Sequence, residues 1–463
     1  MAIRRIFIAN RGEIAVRIIR AAKELGIATA QAVSAADRDM LAARLADIVV
    51  PVGPAHATKS YLNKDAMLKA AIDSGCDAVH PGYGFLSENA DFAEMVEKAG
   101  LVFIGPKPET IRAMGDKATA RIMAAQAGVP TVPGSEGRIE DAGEAKRVAE
   151  TIGYPVMIKA SAGGGGRGIR VADTPAELEA LMARASAEAQ AAFGDGGLYL
   201  ERFVHRARHV EVQILGDGEN VIHSYERECS VQRRRQKVWE EAPAACLSPA
   251  AREKLCASAV RLAKSVGYRG AGTLEYLYDA DRGDFFFIEM NTRIQVEHPV
   301  SEMITGIDLV REMIRVAGGE KLSLSQDQVR LNGHAIEVRI NAEDPAKGFM
   351  PSPGAITALT IPGGMGVRFD TMLYQGYSVP PFYDSLLGKL IVWDTSREAA
   401  MRRLERALGE LKIEGVPTTA ALHLALAADP QMRAGDVHTR WLEDWLDAHP
   451  LATVPNQPLP LTA

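Results

Sequence analysis

The first hundred residues alternate between apolar stretches of strand length and amphipathic stretches of helix length. No other feature limits the possible folds of this chain so strongly. Ile3–Ala9 reads as an apolar strand. Ile14, Ile18, Ile19, Ala22 and Leu25 then mark one face of a helix, and Gly26 is a suitable stop. Ile27–Val33 is the next strand, and Ala78–His80 and Leu101–Ile104 end two further units, separated by helical stretches at 65–73 and 90–99. Strand–helix–strand alternation of this kind predicts a parallel sheet covered by helices. The first turn, Asn10-Arg11-Gly12-Glu13, lies where a dinucleotide fingerprint would be. It carries one glycine in place of G-x-G-x-x-G, which argues against NAD.

At 463 residues the chain is too long for one such unit, and about 150 residues per domain suggests roughly three. The texture changes at 128–155, where Gly128-Val129-Pro130 and Pro133-Gly134-Ser135 read as a hinge. Residues 155–205 form a small strand and helix unit, and 205–300 are strand-rich. Residues 332–395 hold short strands with Gly/Pro turns, and a helix follows at 396–411. The end, VPNQPLPLTA, is proline-rich and expected to fray. No internal repeat is present. Composition is that of an ordinary globular protein, 47% hydrophobic and 24% charged, with a net charge of −6 that argues against a nucleic-acid-binding surface. Cys76, Cys229, Cys246 and Cys256 form no CxxC pair and read as reduced thiols. Arg11 and Glu13 interrupt the first apolar run before it reaches signal-peptide length, and no apolar stretch approaches the ~18 residues of a membrane span. The expectation is a soluble cytoplasmic protein.

Three segments carry chemistry. Lys159-Ala-Ser-Ala-Gly-Gly-Gly-Gly-Arg-Gly168 lies between two strand patterns, so it is not a Walker loop. A glycine run lets backbone N–H groups approach phosphate oxygens, and Lys159 would supply a point charge. A plain linker would be richer in Ser and not bracketed by Ile/Val strands. Next, Gly272–Tyr278 and Asp284–Asn291 read as a hairpin centred near 282, which sets Glu275 roughly opposite Glu289. Opposed like charges are destabilising unless a divalent cation lies between them. Alternation places Glu289, Asn291 and Arg293 on one face, while Phe285–Phe287 argue for burial rather than an exposed polar face. Third, Asn291-Thr-Arg293-Ile-Gln295-Val-Glu297 packs a cation, an amide and a carboxylate at two-residue spacing, suited to a small anion with a base beside it. Alone, such a string is often only a loop. The basic run Arg233–Lys237, ending in Glu240 and Glu241, reads either as a solvated face or as a loop facing phosphate or bicarbonate.

These segments, with IANRGEIAVRIIRAAKELGI, HPGYGFLSENADFAE, GYPVMIKASAGGGGRGIRV, ERECSVQRRRQKVWEEAPA, FIEMNTRIQVEHPVSEMITGIDLV, GHAIEVRINAEDP and YDSLLGKLIV, resemble biotin carboxylase, the ATP-grasp component of acetyl-CoA carboxylase and related enzymes. The likeness covers about residues 3–415. It implies an α/β and α+β architecture in three domains. These are a Rossmann-like N-terminal domain (1–114), an ATP-grasp domain (115–330) with a mobile lid at about 131–203, and a β-rich C-terminal domain (331–446) before a flexible tail (447–463). It also implies a two-step ligase reaction: ATP phosphorylates bicarbonate to carboxyphosphate, and CO₂ then passes to N1′ of biotin on a carrier protein.

Carried over by position, the resemblance implies nucleotide contacts at Lys117, Lys159, Gly163, Gly164, Gly165, Gly166, Glu201, Val204, His209, Gln232, Arg235 and Lys237. Mg²⁺ or Mn²⁺ would be held by Glu275, Glu289 and Asn291, and bicarbonate by Lys237, Arg293, Gln295, Val296 and Glu297. Glu297 would be the general base, and Arg339 would stabilise the biotin enolate. Biotin carboxyl carrier protein and carboxyltransferase subunits are the implied partners, since no carrier motif follows the core. A homodimer is implied, with Arg17, Arg20, Glu24 and Arg368 at interface positions. Departures from the family pattern are Arg235 for His or Asn, Trp239 for a small aliphatic residue, and Ala162 in the glycine run. An ATP-grasp ligase for another carboxylate, or a silent binding subunit, are the competing readings. The Arg293–Glu297 string and Arg339 argue against the first, and the intact charged set argues against the second.

Overall fold

The computed structural model describes residues 3–135, 137–139, 141–160, 170–193 and 196–450. Ala162, Gly163, Gly164, Gly165, Gly166 and Gly168 of the glycine loop, and residues 451–463 of the expected tail, lie outside the described residues. The chain divides into two compact units. The first comprises Met1–Val129, Arg208–Tyr276 and Glu289–Ala463; the second comprises Pro130–Ala207 with Leu277–Ile288.

The first unit opens with a five-stranded parallel sheet in the order Ile48–Gly53, Ala28–Ser34, Arg5–Ile8, Ala78–His80, Val102–Phe103. The order runs outward in both directions from the first strand, so a crevice opens where the direction reverses. The helix Gly12–Glu24 covers this sheet with Ile14, Ile18 and Ile19 buried. Each such side chain contributes about 1.5–3 kcal/mol by leaving water, and a charge at Ile18 would undo the packing. The helix stops because Gly26, at φ +71°, takes the left-handed conformation that closes a helix end.

A larger sheet of eight strands follows. Its order is Asp284–Asn291, Arg269–Asp279, Ala207–Asp217, Val221–Arg233, Gln236–Ala242, His334–Asn341, Leu386–Asp394, Val367–Thr371. From Ala207–Asp217 onward every neighbour is antiparallel. Three C-terminal strands, His334–Asn341, Leu386–Asp394 and Val367–Thr371, therefore belong to this sheet, while the shorter C-terminal strands pair among themselves in two-stranded sheets. His334–Asn341 pairs with Gln236–Ala242 and covers what would otherwise be an open edge. One hydrophobic core accordingly draws residues from all three expected domains, among them Ile8 and Ile14, Leu215 and Trp239, and Leu390, Leu404 and Trp445. The last helix, Trp441–Ala448, extends two residues into the stretch expected as tail. It is held by the Trp445 indole, which donates to Asp429 Oδ2 at 2.9 Å. Of the expected interface residues, Arg17 and Arg368 meet on Glu302 within the chain, at 3.0 and 2.7 Å, whereas Arg20 and Glu24 are exposed.

In the second unit a three-stranded antiparallel sheet, Arg170–Ala172, Val156–Ala160 and Leu198–Arg202, packs with the helices Ala142–Ile152 and Pro175–Phe193. Its core includes Ala145, Ala149, Val156, Ile158 and Leu200. Among the described residues no helix is long and apolar enough to cross a membrane, and all four cysteines are unbonded.

Candidate active site

The basic run resolves into a hairpin. Val221–Arg233 and Gln236–Ala242 are joined by Arg234 and Arg235, both at positive φ, and Arg235 is exposed at the tip. Gln232 lies opposite Lys237, but Val231 lies opposite Trp239, so Val238 is an extra residue on its strand. Such a bulge reverses the alternation of faces. It brings Lys237 and Glu240, three residues apart, to the same polar cluster, while Trp239 is buried in the core and donates Nε1–H to Glu241 Oε1 at 3.0 Å.

The Lys237 ammonium uses all three of its N–H donors on carboxylates: Glu211 Oε2 at 2.5 Å, Glu297 Oε1 at 2.7 Å and Glu275 Oε1 at 2.9 Å. Arg339 donates to Glu297 Oε2 at 2.9 Å and, through Nε, to Glu240 Oε1 at 2.7 Å. Glu297 is therefore held between two cations at the start of the helix His298–Thr305. Gln295 donates to Glu275 Oε1 at 2.8 Å, and Asn291 reaches the same oxygen at 3.0 Å. Arg293 donates to Asn291 Oδ1 at 3.0 Å and to Glu88 Oε2 at 2.9 Å. The Val296 carbonyl accepts from the fully buried Lys389 at 2.7 Å.

Burial opposes ionisation throughout this cluster, and the opposite charges decide each case. For Glu275, Lys237 and His209 outweigh burial and hold the carboxyl well below its usual range. For Glu297, Lys237 and Arg339 outweigh burial and the nearby Glu211 and lower the carboxyl below its usual range, so the carboxylate is ionised and able to accept a proton at neutral pH. Burial also disfavours charge on His209, yet Glu275 at 3.2 Å and Glu211 at 3.6 Å raise it to about 9. Glu240 is the exception, where burial wins over Arg339 and pushes it up to about 7.

Glu289 is set apart from this cluster. Its side chain is partly open and lies 3.7 Å from Lys117 Nζ, at the start of the helix Lys117–Gln126. With Glu275 and Asn291 it offers hard oxygen donors of the kind Mg²⁺ prefers. A tighter group, His209, Glu211 and Glu275, also has its ligand atoms within 4.8 Å of one another. In the second unit, Lys159 is ion-paired with Glu201 across the strands Val156–Ala160 and Leu198–Arg202. Val204 is buried there against Ala207 and Phe286. Gln232 is buried in the first unit and bonds the Cys229 carbonyl at 2.8 Å.

Several residues of the cluster are ones that reading the sequence does not single out. Arg227 is wholly buried and bonds Glu211, Gln213, Gln295, Ser301 and Thr273 at 2.6–3.1 Å. It fixes Glu211 and Gln295, the side chains that flank Lys237 and Glu275. A signal existed for Glu211, since His209, Glu211 and Gln213 form a polar stripe at two-residue spacing that alternates with Val210, Val212 and Ile214. Separately, a cavity of about 180 Å³ lined by Asn10, Arg11, Glu13, Tyr83 and Asp384 opens beside the reversal point of the parallel sheet.

Comparison with known proteins agrees over most of the chain. Family models for the biotin carboxylase N-terminal domain, the carbamoyl-phosphate synthase L chain ATP-binding domain and the biotin carboxylase C-terminal domain match residues 2–111, 116–325 and 337–444. A biotin carboxylase of Nostoc sp. is 54% identical over 95% of this chain and 98% of its own. The chain belongs to the biotin carboxylase family. Two solved members of that family have the same fold. The Campylobacter jejuni enzyme, in a complex with a β,γ-ATP, superposes with a TM-score of 0.87 at 48% identity, covering 96% of this chain and 99% of that one. The biotin carboxylase domain of a thermophilic 2-oxoglutarate carboxylase bound to bicarbonate gives 0.91 at 46%, covering 96% and 98%. The family's ATP-grasp architecture accounts for the large eight-stranded sheet and the small unit seen here.

Proposed function

We propose that the chain is an ATP-dependent ligase that carboxylates biotin, and that the Lys237–Glu297–Arg339 cluster is where bicarbonate is activated. The observation that carries this assignment is Glu297, a buried carboxylate kept ionised between two cations, with Gln295 and Arg293 on the same loop. Glu297 accepts the bicarbonate proton. A bicarbonate oxygen then forms a bond to the γ-phosphorus of ATP as the β–γ bridge breaks, giving ADP and carboxyphosphate. Lys237, Arg293, Gln295 and the Val296 backbone hold the anion, because phosphoryl transfer depends chiefly on positioning and charge stabilisation. Carboxyphosphate then breaks its C–O bond to give CO₂ and phosphate. The released phosphate takes the N1′ proton of biotin, and N1′ of the resulting enolate, whose oxygen is stabilised by Arg339, forms its bond to CO₂.

Glu275, Glu289 and Asn291 are the residues that would hold Mg²⁺ or Mn²⁺, which when bound screens charge on the nucleotide phosphates. Lys117, His209, Gln232, Arg235 and Lys237 of the first unit are proposed nucleotide contacts. Biotin is carried by a biotin carboxyl carrier protein and carboxybiotin is consumed by carboxyltransferase subunits, with the ligase a cytoplasmic homodimer.

The deciding assay is ATP hydrolysis with Mg²⁺, first with and without bicarbonate and then with free biotin. Stimulation by bicarbonate, with carboxybiotin formed, supports the assignment. ATP binding with no bicarbonate-dependent turnover overturns it in favour of a different acid substrate.

A further inference from the structure

The most anomalous side chain in the described structure is Glu337. It is wholly buried in the middle of the eight-stranded sheet, and neither of its oxygens has a hydrogen-bond partner. On the neighbouring strand its Cα partner is Glu240, also wholly buried, whose Oε2 is likewise unpartnered because Arg339 uses only Oε1. Two ionised carboxylates placed opposite each other on adjacent strands repel, and an unpaired buried charge costs several kcal/mol before that repulsion is counted. One proton removes both problems. An O–H on Glu337 donates to Glu240 Oε2, and the other Glu337 oxygen is then an uncharged carbonyl.

We propose that Glu337 and Glu240 share one proton, with a neutral carboxylic acid on Glu337 donating to the Glu240 carboxylate, and that this pair positions Arg339. The second claim rests on the reading of Arg339 as part of the biotin-carboxylating site. The surroundings agree. Charged and titratable groups near the pair are Lys237 on the Glu240 strand, Cys229 on Val221–Arg233, Arg339 on the Glu337 strand, Lys389 on Leu386–Asp394 with Glu13 paired to it, and Glu297 and His298 at the start of the helix packed on this part of the sheet. Elsewhere on these strands, Glu241 is bonded to His334 and Arg397, and His423 to the Arg339 carbonyl. None of these donates to Glu337. Burial pushes Glu337 well above the usual carboxyl range, with Lys389 opposing and Glu240 reinforcing.

With the proton in place, Glu240 holds the Arg339 Nε edge while Nη2 also reaches Glu297. Loss of the proton adds a negative charge behind Arg339 and draws the guanidinium away from Glu297. Biotin-dependent turnover should then fall at alkaline pH as the pair ionises.

The first test needs no turnover. Infrared spectra of the wild-type protein at mildly alkaline pH, where ordinary carboxyls are ionised, should retain a protonated-carboxyl stretch that Glu337→Gln removes. Absence of the band overturns the shared proton. The second test is the pH profile of carboxybiotin formation. Glu337→Gln keeps an N–H donor toward Glu240 but has no proton to lose, so its alkaline limb should disappear. Glu337→Val removes the donor and should lower biotin-dependent turnover about tenfold, one hydrogen bond's worth, more than Gln does. A band with an unchanged alkaline limb in Glu337→Gln overturns the positioning role. Bicarbonate-dependent ATP cleavage, run alongside, reports on the site assignment independently.

Discussion

Lys237 gives each of its donors to a different buried carboxylate, so its removal takes a cation from three acids at once. Breaking a buried pair by deleting one partner costs about 3–5 kcal/mol, and Lys237→Met should lower the unfolding free energy by at least that much in a urea titration. Glu297→Gln keeps the volume and removes the base. It should leave ATP binding nearly intact and reduce bicarbonate-dependent turnover by at least about 100-fold; undiminished turnover would refute the base assignment. Asp370 gives a pH test. Burial would raise its pKa, but the paired Arg368 holds it at about 2 against an ordinary 3.8. The folded state therefore binds this proton less readily than the unfolded state. The stabilisation is complete above 3.8 and is lost as pH falls through about 2. The stability gap between wild type and Asp370→Asn should narrow over that window in urea midpoints. At this scale the sequence exposed residues whose pattern is local, such as the Asn291–Glu297 string. Arg227 and Glu337 stayed hidden because their significance lies in partners 14 to 97 positions away.

At the level of elements, the strands and helices legible in the sequence are those with strong periodicity. Ile14, Ile18 and Ile19 mark the helix Gly12–Glu24, and Phe285–Phe287 the buried strand beside Glu289. The 17-residue helix Pro249–Ser265 falls in a stretch expected to be strand-rich. Its start was signalled by Ser248, which caps Ala251 N–H, and by Pro249 in the first turn. The bulge at Val238 was not legible, since a two-for-one mismatch exists only relative to the partner strand. The turn next to it holds Arg234 and Arg235 at φ +47° and +67°, where an L-residue with a Cβ is disfavoured by about 1 kcal/mol. Arg235→Gly should therefore raise stability by about that amount, read as a higher thermal midpoint. A fall in the midpoint would show that the Arg235 side chain contributes more than the turn costs.

Across the whole molecule, three sequence regions share one core, and the second and third also share one sheet. A fragment ending at residue 330 would lose His334–Asn341, Leu386–Asp394 and Val367–Thr371, expose the edge of Gln236–Ala242, and leave Arg17 without Arg368 across Glu302. It should aggregate or unfold without a cooperative transition in denaturant; a sharp two-state transition would show that the N-terminal regions are self-sufficient. The second unit has its own small core, built on Val156, Ile158 and Leu200. The division into units also sorts the chromophores. All four tryptophans, Trp239, Trp393, Trp441 and Trp445, belong to the first unit, while the second contains tyrosines alone, Tyr154, Tyr199 and Tyr278. Indole emission is thus a built-in reporter of the shared core and is silent about the smaller unit, so an indole introduced there by Tyr199→Trp would give each unit its own optical signal.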